Sequence, residues 1–190
     1  MTTATATVRR LSESRLPAIG AIAFAAMLAA ASQIAIPLPG TPVPITLQPL
    51  VVVLAGLVLG PRAAAASMVT YLAAGAVGLP VFAPVGAPGL ARLVGPTGGY
   101  LLAYPAAAVV AGVLGWRPLA VAGPRLARRT VAAAAGILVL YVGGVAQLAV
   151  LTGSLPRALE LGVPPFVAFD ALKAVAAAAL AGTWATRLRR

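Results

Sequence analysis

Long apolar runs, separated by short polar or proline-rich segments, make up most of the chain. A helix needs about 20 apolar residues to cross a bilayer core of roughly 30 Å. Most of the runs are near that length, whereas the second is short and is expected either to tilt or to begin inside the protein. The pattern predicts six transmembrane helices, over residues 16–36, 47–60, 63–79, 97–116, 130–152 and 164–184.

Composition supports the membrane class and excludes several kinds of chemistry. The chain has 190 residues, of which 61% are hydrophobic and 9% are charged, whereas a soluble domain has about 25% charged residues. It has no cysteine, no histidine and only three acidic residues, so a Ser-His-Asp triad, thiolate chemistry and an ordinary metal site lack their groups. We therefore expect an all-α integral membrane protein that is not an enzyme and has no cofactor of its own.

The arginines predict the orientation of the helices. The formal net charge is +11, but the arginines lie at the ends of apolar runs, which indicates topology and contact with anionic membrane lipid rather than nucleic acid. With six spans, the side that holds the termini has eleven arginines and the other side has two, Arg92 and Arg157. The positive-inside rule then places both termini in the cytoplasm. The eleven are Arg9, Arg10, Arg15, Arg62, Arg117, Arg125, Arg128, Arg129, Arg187, Arg189 and Arg190.

The polar ends and the apolar centre divide the chain into three parts. Residues 1–15 are predicted to form a cytoplasmic N-terminal tail, and residues 188–190 a basic cytoplasmic end. Residues 16–187 are predicted to form one six-helix domain that binds the substrate. The N-terminal part has no short apolar core followed by a small-residue cleavage site, so we expect no signal peptide.

Two charged residues, Asp170 and Lys173, lie inside the sixth predicted span. Residues three apart on a helix project from the same face, so these side chains are expected to lie together. A charge at membrane depth costs about 2.5 kcal/mol or more unless it is paired or lies in a polar cavity, and such residues are usually functional. The pair predicts a binding site in the outer half of this helix. The alternative is an ion pair that only joins the helix to a neighbour.

Other polar residues fall at the same predicted depth. Thr46 and Gln48 begin the second span, and Tyr100 lies near the start of the fourth. Ser32 and Gln147 lie toward the outer ends of the first and fifth spans. For any single residue the alternative is a helix–helix hydrogen bond, worth about 0.6 to 2 kcal/mol. The convergence of polar groups from five helices instead favours a cavity that opens to the outer side.

The first predicted helix carries small residues at a spacing of four. Ala25 and Ala29 belong to one strip, and Ala26 and Ala30 to the next. Small residues four apart let another helix approach closely. The strips predict a helix partner, either inside the bundle or on another protein. The alternative is that alanine is simply abundant in this chain.

Four segments make the sequence more specific than its composition. They are IPLPGTPVPITLQ at 36–48, LAGLVLGPR at 54–62, GLPVFA at 78–83 and GPTGGYL at 95–101. In this order they resemble the BioY family, the biotin-binding S components of energy-coupling-factor (ECF) vitamin transporters, over roughly residues 16–186. The sequence has no phosphate-binding P-loop, so ATP hydrolysis by that route is excluded for this chain.

The resemblance implies a six-helix ECF S-component bundle in the bacterial cytoplasmic membrane, crossing it several times. It implies a partner complex of one transmembrane coupling protein and two ATPase subunits, contacted partly through small residues on the first helix. Only those partners would use ATP. It also implies a pocket near the outer face, closed by two loops, and toppling of the loaded protein to release biotin inside. The alternative is a stand-alone transporter of biotin or a related vitamin.

The chemistry of biotin suggests roles for the polar residues. Asp170 is expected to accept from the ureido N–H groups, and Lys173 to donate to the ureido carbonyl. Arg92 is the candidate cation for the valerate carboxylate, and Tyr100 and Gln48 are expected to supply a ring wall and an amide hydrogen bond. Two alternatives stay open: Lys173 holds the carboxylate, or Arg92 is a solvated loop charge. The predicted substrate-binding set is Asp170, Lys173, Arg92, Tyr100, Gln48 and Thr46.

Overall fold

A computed structural model describes residues 3–116 and 124–187. In this part of the chain the architecture is helical, with one two-stranded sheet, so the all-helical prediction is confirmed. The helices are α1 (Thr3–Gln33), α2 (Gln48–Leu59), α3 (Pro61–Ala76), α4 (Leu90–Val94), α5 (Gly98–Leu102), α6 (Tyr104–Trp116), α7 (Arg125–Thr152), α8 (Leu155–Gly162) and α9 (Val167–Arg187). The strands are β1 (Ala35–Ile36) and β2 (Ile45–Thr46).

Helix α2 is the centre of the bundle. It contacts α1, α3, α6, α7 and α9, and every residue from Val51 to Leu57 is buried. A helix that is apolar on all sides is buried on all sides, because each face needs an apolar neighbour. Gln48, its first residue, is only 5% exposed. The sequence predicts that this short helix either tilts or begins inside the protein, and in the structure it begins inside the protein.

The proline-rich segment after α1 forms the small sheet. Its two strands pair antiparallel, with Ala35 opposite Thr46 and Ile36 opposite Ile45. The prolines between them prevent a helix, as predicted, and Gly40 turns the chain at a φ of 86° that other residues rarely adopt. The strands themselves were not predicted, because two-residue strands carry no alternation to detect. Their pairing brings Thr46 to the start of α2.

Helix boundaries differ from the predicted spans in several places, and the predicted loop between the third and fourth spans contains the short helix α4. α1 begins at Thr3, so the predicted tail, residues 1–15, is helical where the structure describes it. The fourth predicted span is divided at Ala103, because Pro105 has no N–H to donate to the carbonyl four residues earlier. The loop after α7 contains the unpredicted α8, whose first turn is capped by the Ser154 hydroxyl.

Two helices in the described part are long and apolar enough to cross a bilayer, Arg125–Thr152 and Val167–Trp184. Three more are apolar but shorter, Ala18–Gln33, Gln48–Leu59 and Tyr104–Trp116. The count of six spans and the cytoplasmic placement of both termini therefore remain predictions. Arg117 and the predicted C-terminal end, 188–190, lie outside the described residues.

Helices α5 and α7 approach each other through glycine. A Cβ on Gly99 would lie 2.2 Å from the carbonyl oxygen of Gly143, and one on Gly98 would lie 1.9 Å from that of Leu93. Neither position has room for a side chain. Gly95, in the same GPTGGYL segment, has only ordinary contacts, at 3.5 and 3.6 Å. The segment therefore seats the first turn of α5 directly on α7.

The alanines of α1 face two ways. Ala25 is buried in the core and Ala29 packs against it, whereas Ala26 and Ala30 are exposed. One strip thus has its partner inside the bundle, and Ala25 is not accessible to another protein in this conformation, because neighbouring helices cover it. Contact with another protein remains a prediction for the exposed pair.

Candidate ligand-binding site

One cavity gathers polar residues from β2, α2, α4, α5, α7 and α9. All six residues of the predicted substrate-binding set line it: Thr46, Gln48, Arg92, Tyr100, Asp170 and Lys173. Apolar and aromatic residues that share the lining include Val43, Phe82, Tyr104, Leu140, Tyr141 and Phe166. A mostly apolar cavity with a few convergent polar groups is the usual form of a small-molecule site.

Asp170 and Lys173 form a buried ion pair on the first turns of α9. They are 6% and 7% exposed, and the Lys173 Nζ donates to Asp170 Oδ1 at 2.7 Å. The Tyr141 hydroxyl, on α7, donates to Asp170 Oδ2 at 2.7 Å. Asp170 stands in the first turn of its helix, where the helix dipole favours a negative charge. Both carboxylate oxygens are thus held in place, and each has a further lone pair for a ligand donor.

The Gln48 amide is held by neighbours on both sides. Its Nε2 donates to the Tyr71 hydroxyl at 2.8 Å, and its Oε1 accepts from the Thr46 hydroxyl at 3.2 Å. The Thr46 oxygen also accepts from the Gln48 backbone N–H at 3.3 Å. An amide has two donor hydrogens, so one N–H of Gln48 is left for a ligand.

Arg92, on α4, is a buried cation and not a solvated loop charge, since it is 6% exposed. Its Nη1 donates to the carbonyl oxygen of Val85, and its Nη2 donates to that of Ala83 at 2.5 Å. Its Nε is buried without a hydrogen-bond partner, and no acidic side chain of the described residues pairs with it. Burial lowers the pKa of Arg92 from its usual value, because its charge has lost hydration.

Tyr100 lines the cavity, while its hydroxyl bonds a residue of α8. The ring lies against Gly144 of α7, where a Cβ would come within 2.1 Å of the ring Cζ. The hydroxyl donates to the carbonyl oxygen of Gly162 at 2.7 Å, at the end of α8. The close approach of Tyr100 to Gly144 and Gly162 explains why both of these positions are glycine. The ring position therefore depends on α7 and α8 together.

Eleven lining residues were not in the predicted set, and four of them are aromatic. Tyr141 holds Asp170, while Tyr104, Phe82 and Phe166 add aromatic wall. The rarity of tyrosine was a signal for Tyr104 and Tyr141, which the predicted set did not include. The chain has only four tyrosines, of which three line the cavity and the fourth, Tyr71, holds Gln48. Phe82 lies in the loop between α3 and α4, and Phe166 directly precedes α9; in neither place does a periodicity predict the direction of a side chain.

The charges of the lining leave an excess of one positive charge. The lining contains one carboxylate, Asp170, and two cations, Lys173 and Arg92. Asp170 and Lys173 neutralise each other. Buried charges are normally paired. The arrangement therefore fits a ligand that carries one negative charge and a separate polar group for the Asp170–Lys173 pair.

Comparisons with known proteins agree on one family. A family model described as the BioY family matches residues 3–190. A "Probable biotin transporter BioY" of Pyrococcus horikoshii is 40% identical, and a "Biotin transporter BioY" of Thermotoga maritima is 39% identical, each over 83% of this chain and 89% of the relative. A "Biotin transporter BioY" of Rhizobium etli is 40% identical over 73% of this chain and 76% of its own. These relatives are named as transporters and not as enzymes.

One solved structure has the same fold. It is the crystal structure of the S component for biotin from an ECF-type ABC transporter, with a TM-score of 0.78 and 24% identity. The match covers 100% of this chain and 94% of that one, so the bundle described above is an S-component fold from end to end. With the family model and the three relatives, it leads to one conclusion: the chain belongs to the BioY family.

Proposed function

We propose that this protein binds biotin and carries it into the cell as the substrate-specificity subunit of an ECF-type ABC transporter. The observation that carries the proposal is the single cavity in which the buried Asp170–Lys173 pair and the buried Arg92 share an apolar and aromatic lining. The names of the relatives and of the similar structure support biotin as the substrate.

The Asp170–Lys173 pair suits the ureido ring of biotin. The ring has two N–H donors and one carbonyl acceptor. Asp170 keeps free lone pairs after bonding Lys173 and Tyr141, and the Lys173 ammonium has two further hydrogens. The pair can thus accept from the ring and donate to it while remaining neutral. A neutral polar group suits a neutral ring, since no net charge has to be buried with it.

Arg92 suits the valerate carboxylate. Its Nε–H has no partner, and each Nη keeps one hydrogen after bonding a backbone carbonyl. These remaining N–H groups are the proposed donors to the carboxylate, and two parallel hydrogen bonds from one side of the guanidinium would be the strong bidentate arrangement. Assigning the carboxylate to Arg92 leaves Lys173 for the ureido carbonyl.

The transport step is assigned to partner subunits in this proposal. A transmembrane coupling protein and two ATPase subunits would use ATP, and this chain would need no cofactor. The pocket would face the outer side of the bacterial cytoplasmic membrane and turn inward when the loaded protein topples. Ala26 and Ala30, exposed on α1, offer small residues for close approach of the coupling protein.

Calorimetry on the purified protein tests the binding step. We expect tight binding of biotin without partner subunits, and weaker binding of desthiobiotin and lipoate. Asp170→Asn should weaken biotin binding by roughly 10- to 100-fold, the size of a hydrogen bond to a charged group. Glu160→Gln removes an acid that is 66% exposed on α8 and should leave binding unchanged.

Two outcomes would contradict the proposal. Folded wild-type protein that does not bind biotin would refute the substrate assignment. An Asp170→Asn variant that binds as tightly as the wild type would leave the ion pair within α9, and the Tyr141 hydrogen bond that joins it to α7, with a purely structural role.

A further inference from the structure

The segment from Val81 to Val85, here called the wall segment, forms one side of the cavity. Phe82 and Ala83 line the cavity. The Phe82 ring packs on Gly75, where a Cβ would come within 2.2 Å of it. It also meets the Tyr71 ring edge-on at 5.4 Å. Phe82 is therefore a fitted part of the wall, and its position decides whether this side of the cavity is closed.

Backbone hydrogen bonds do little to hold the wall segment. Among the described residues it makes one such bond, from Val81 N–H to the Leu79 carbonyl, which is local. Four of its carbonyl groups, those of Val81, Phe82, Ala83 and Val85, accept from side chains of α1 and α4. A loop without a backbone ladder takes its position from those side chains, because buried carbonyls need partners.

Helix α1 supplies two of those side chains from its last turn. The Ser32 hydroxyl, which is fully buried, lies 2.6 Å from the Val81 carbonyl oxygen and 2.7 Å from the Ala29 carbonyl oxygen of its own helix, so its one hydrogen can donate to either. The Gln33 Nε2 lies within hydrogen-bond distance of the Phe82 carbonyl at 3.2 Å, of Ser32 Oγ at 2.9 Å and of the Ala29 carbonyl at 3.2 Å. Gln33 and Ser32 thus form a short chain of hydrogen bonds that reaches the carbonyls of two successive residues, Val81 and Phe82.

Arg92 holds the other half of the wall segment, through the carbonyls of Ala83 and Val85. The wall segment is thus suspended between α1 and α4. The α4 anchor is itself part of the proposed ligand site, whereas Ser32 and Gln33 do not line the cavity. The α1 anchor therefore acts on a ligand only through the wall segment, whose Phe82 and Ala83 line the cavity.

We propose that Ser32 and Gln33 are positioning residues that tie the wall segment to α1, so that Phe82 follows this helix and the cavity opens when α1 is displaced. The inference rests on the proposed function, since it makes the anchor a control of biotin release. The exposed Ala26 and Ala30 stand on the same helix. A partner that binds them and shifts α1 would pull on the pocket wall.

The rate of biotin dissociation from the purified protein tests the anchor. Ser32→Ala removes one hydrogen bond to the wall, and Gln33→Met removes the other from an exposed position. Each should raise the dissociation rate roughly three- to tenfold, the size of one net hydrogen bond, with little change in the association rate. Thr70→Ala is the matched control, because its exposed hydroxyl bonds only the Ala66 carbonyl of its own helix.

A second measurement separates the anchor from general damage to the fold. Amide hydrogen exchange over residues 79–85 should rise in both variants in the absence of biotin, while the core of α2 stays protected and the number of binding sites stays at the wild-type value. A variant that merely misfolds would lose binding sites and would not change the rate of those that remain.

Several results would overturn the inference. An unchanged dissociation rate in Ser32→Ala and Gln33→Met means that the wall does not control release, whatever the exchange shows. If the wild type does not bind biotin, the proposed function fails, and the anchor is then judged on exchange alone. Unchanged exchange in the wall segment would refute the anchor too.

Discussion

Arg92 brings an uncompensated positive charge into a cavity whose other two charges cancel. It keeps an N–H without a partner while two of its other hydrogens fix the wall segment. An anion bound there would restore the pairing that buried charges normally have. Because the same guanidinium holds the wall, a bound anion and a closed wall would share one side chain.

The binding of biotin and of biotin amide to wild-type protein and to Arg92→Gln tests this role of Arg92. Wild-type protein should bind biotin roughly 10- to 100-fold more tightly than biotin amide, which lacks the negative charge. In Arg92→Gln the preference should nearly disappear, because the partner of the carboxylate is gone. Arg157→Gln, which removes an arginine whose side chain is 53% exposed, should keep the preference. Calorimetry with both ligands measures all of these values.

A preference that survives in Arg92→Gln would assign the carboxylate to Lys173, the other cation of the lining. An equal loss for both ligands would make Arg92 a support of the wall and nothing more.

Some residues of the cavity could be identified from the sequence, and others could not. Asp170, Lys173 and Arg92 stand out because charges are rare in this chain, and all three line the cavity. Tyr141 was missed because a tyrosine in mid-span resembles any other aromatic core residue. Its role depends on the distance between α7 and α9, which no local pattern contains. The same holds for Ser32, whose partner Val81 lies 49 residues away.

At the level of the helices, the glycines of the GPTGGYL segment differ in whether close packing requires them. Gly99 rests on the Gly143 carbonyl of α7, so a methyl group there has no space. Gly95 adopts an extended conformation with ordinary contacts, which alanine also accepts. Two glycines four residues apart therefore have different reasons to be glycine.

Gly99→Ala should destabilise the protein by about 1–3 kcal/mol, the cost of overpacking. Its thermal unfolding midpoint in detergent should fall accordingly. Gly95→Ala is the matched control from the same segment and should unfold near the wild-type midpoint. Equal midpoints for the two variants would contradict the close seating of α5 on α7.

Elements with a strong sequence pattern were predicted, and those fixed by tertiary contacts were not. The apolar runs gave the main helices because their length and hydropathy are local properties. The short helices α4 and α8 and the two strands were missed, since they lie in predicted loops whose structure depends on what they pack against. Helix α2 illustrates the same limit: its shortness was visible, whereas its central position was not.

At the scale of the whole molecule, the arginine distribution predicts which side of the membrane each loop faces. The chain has no cysteine, so single cysteines can report that topology without background. Ala87 lies exposed in the loop before α4, and Arg62 lies exposed in the first turn of α3, which follows α2 directly. With six spans these two positions are on opposite sides.

A membrane-impermeant maleimide should label Ala87→Cys in intact cells. It should label Arg62→Cys only after the membrane is permeabilised, because the positive-inside rule retains the arginine-rich loops in the cytoplasm. Unmodified protein is the control and should not react. The reverse labelling pattern would invert the orientation, and labelling of both positions from outside would contradict the number of spans.

The central position of α2 has a consequence for how the protein is made. Of its five helical neighbours, α1 precedes it in the chain and the other four follow. During synthesis α2 therefore precedes four of the five helices that cover it. Its face toward α9 has no partner until α9 has been synthesised. The helix that carries Asp170 and Lys173 thus completes the packing around α2.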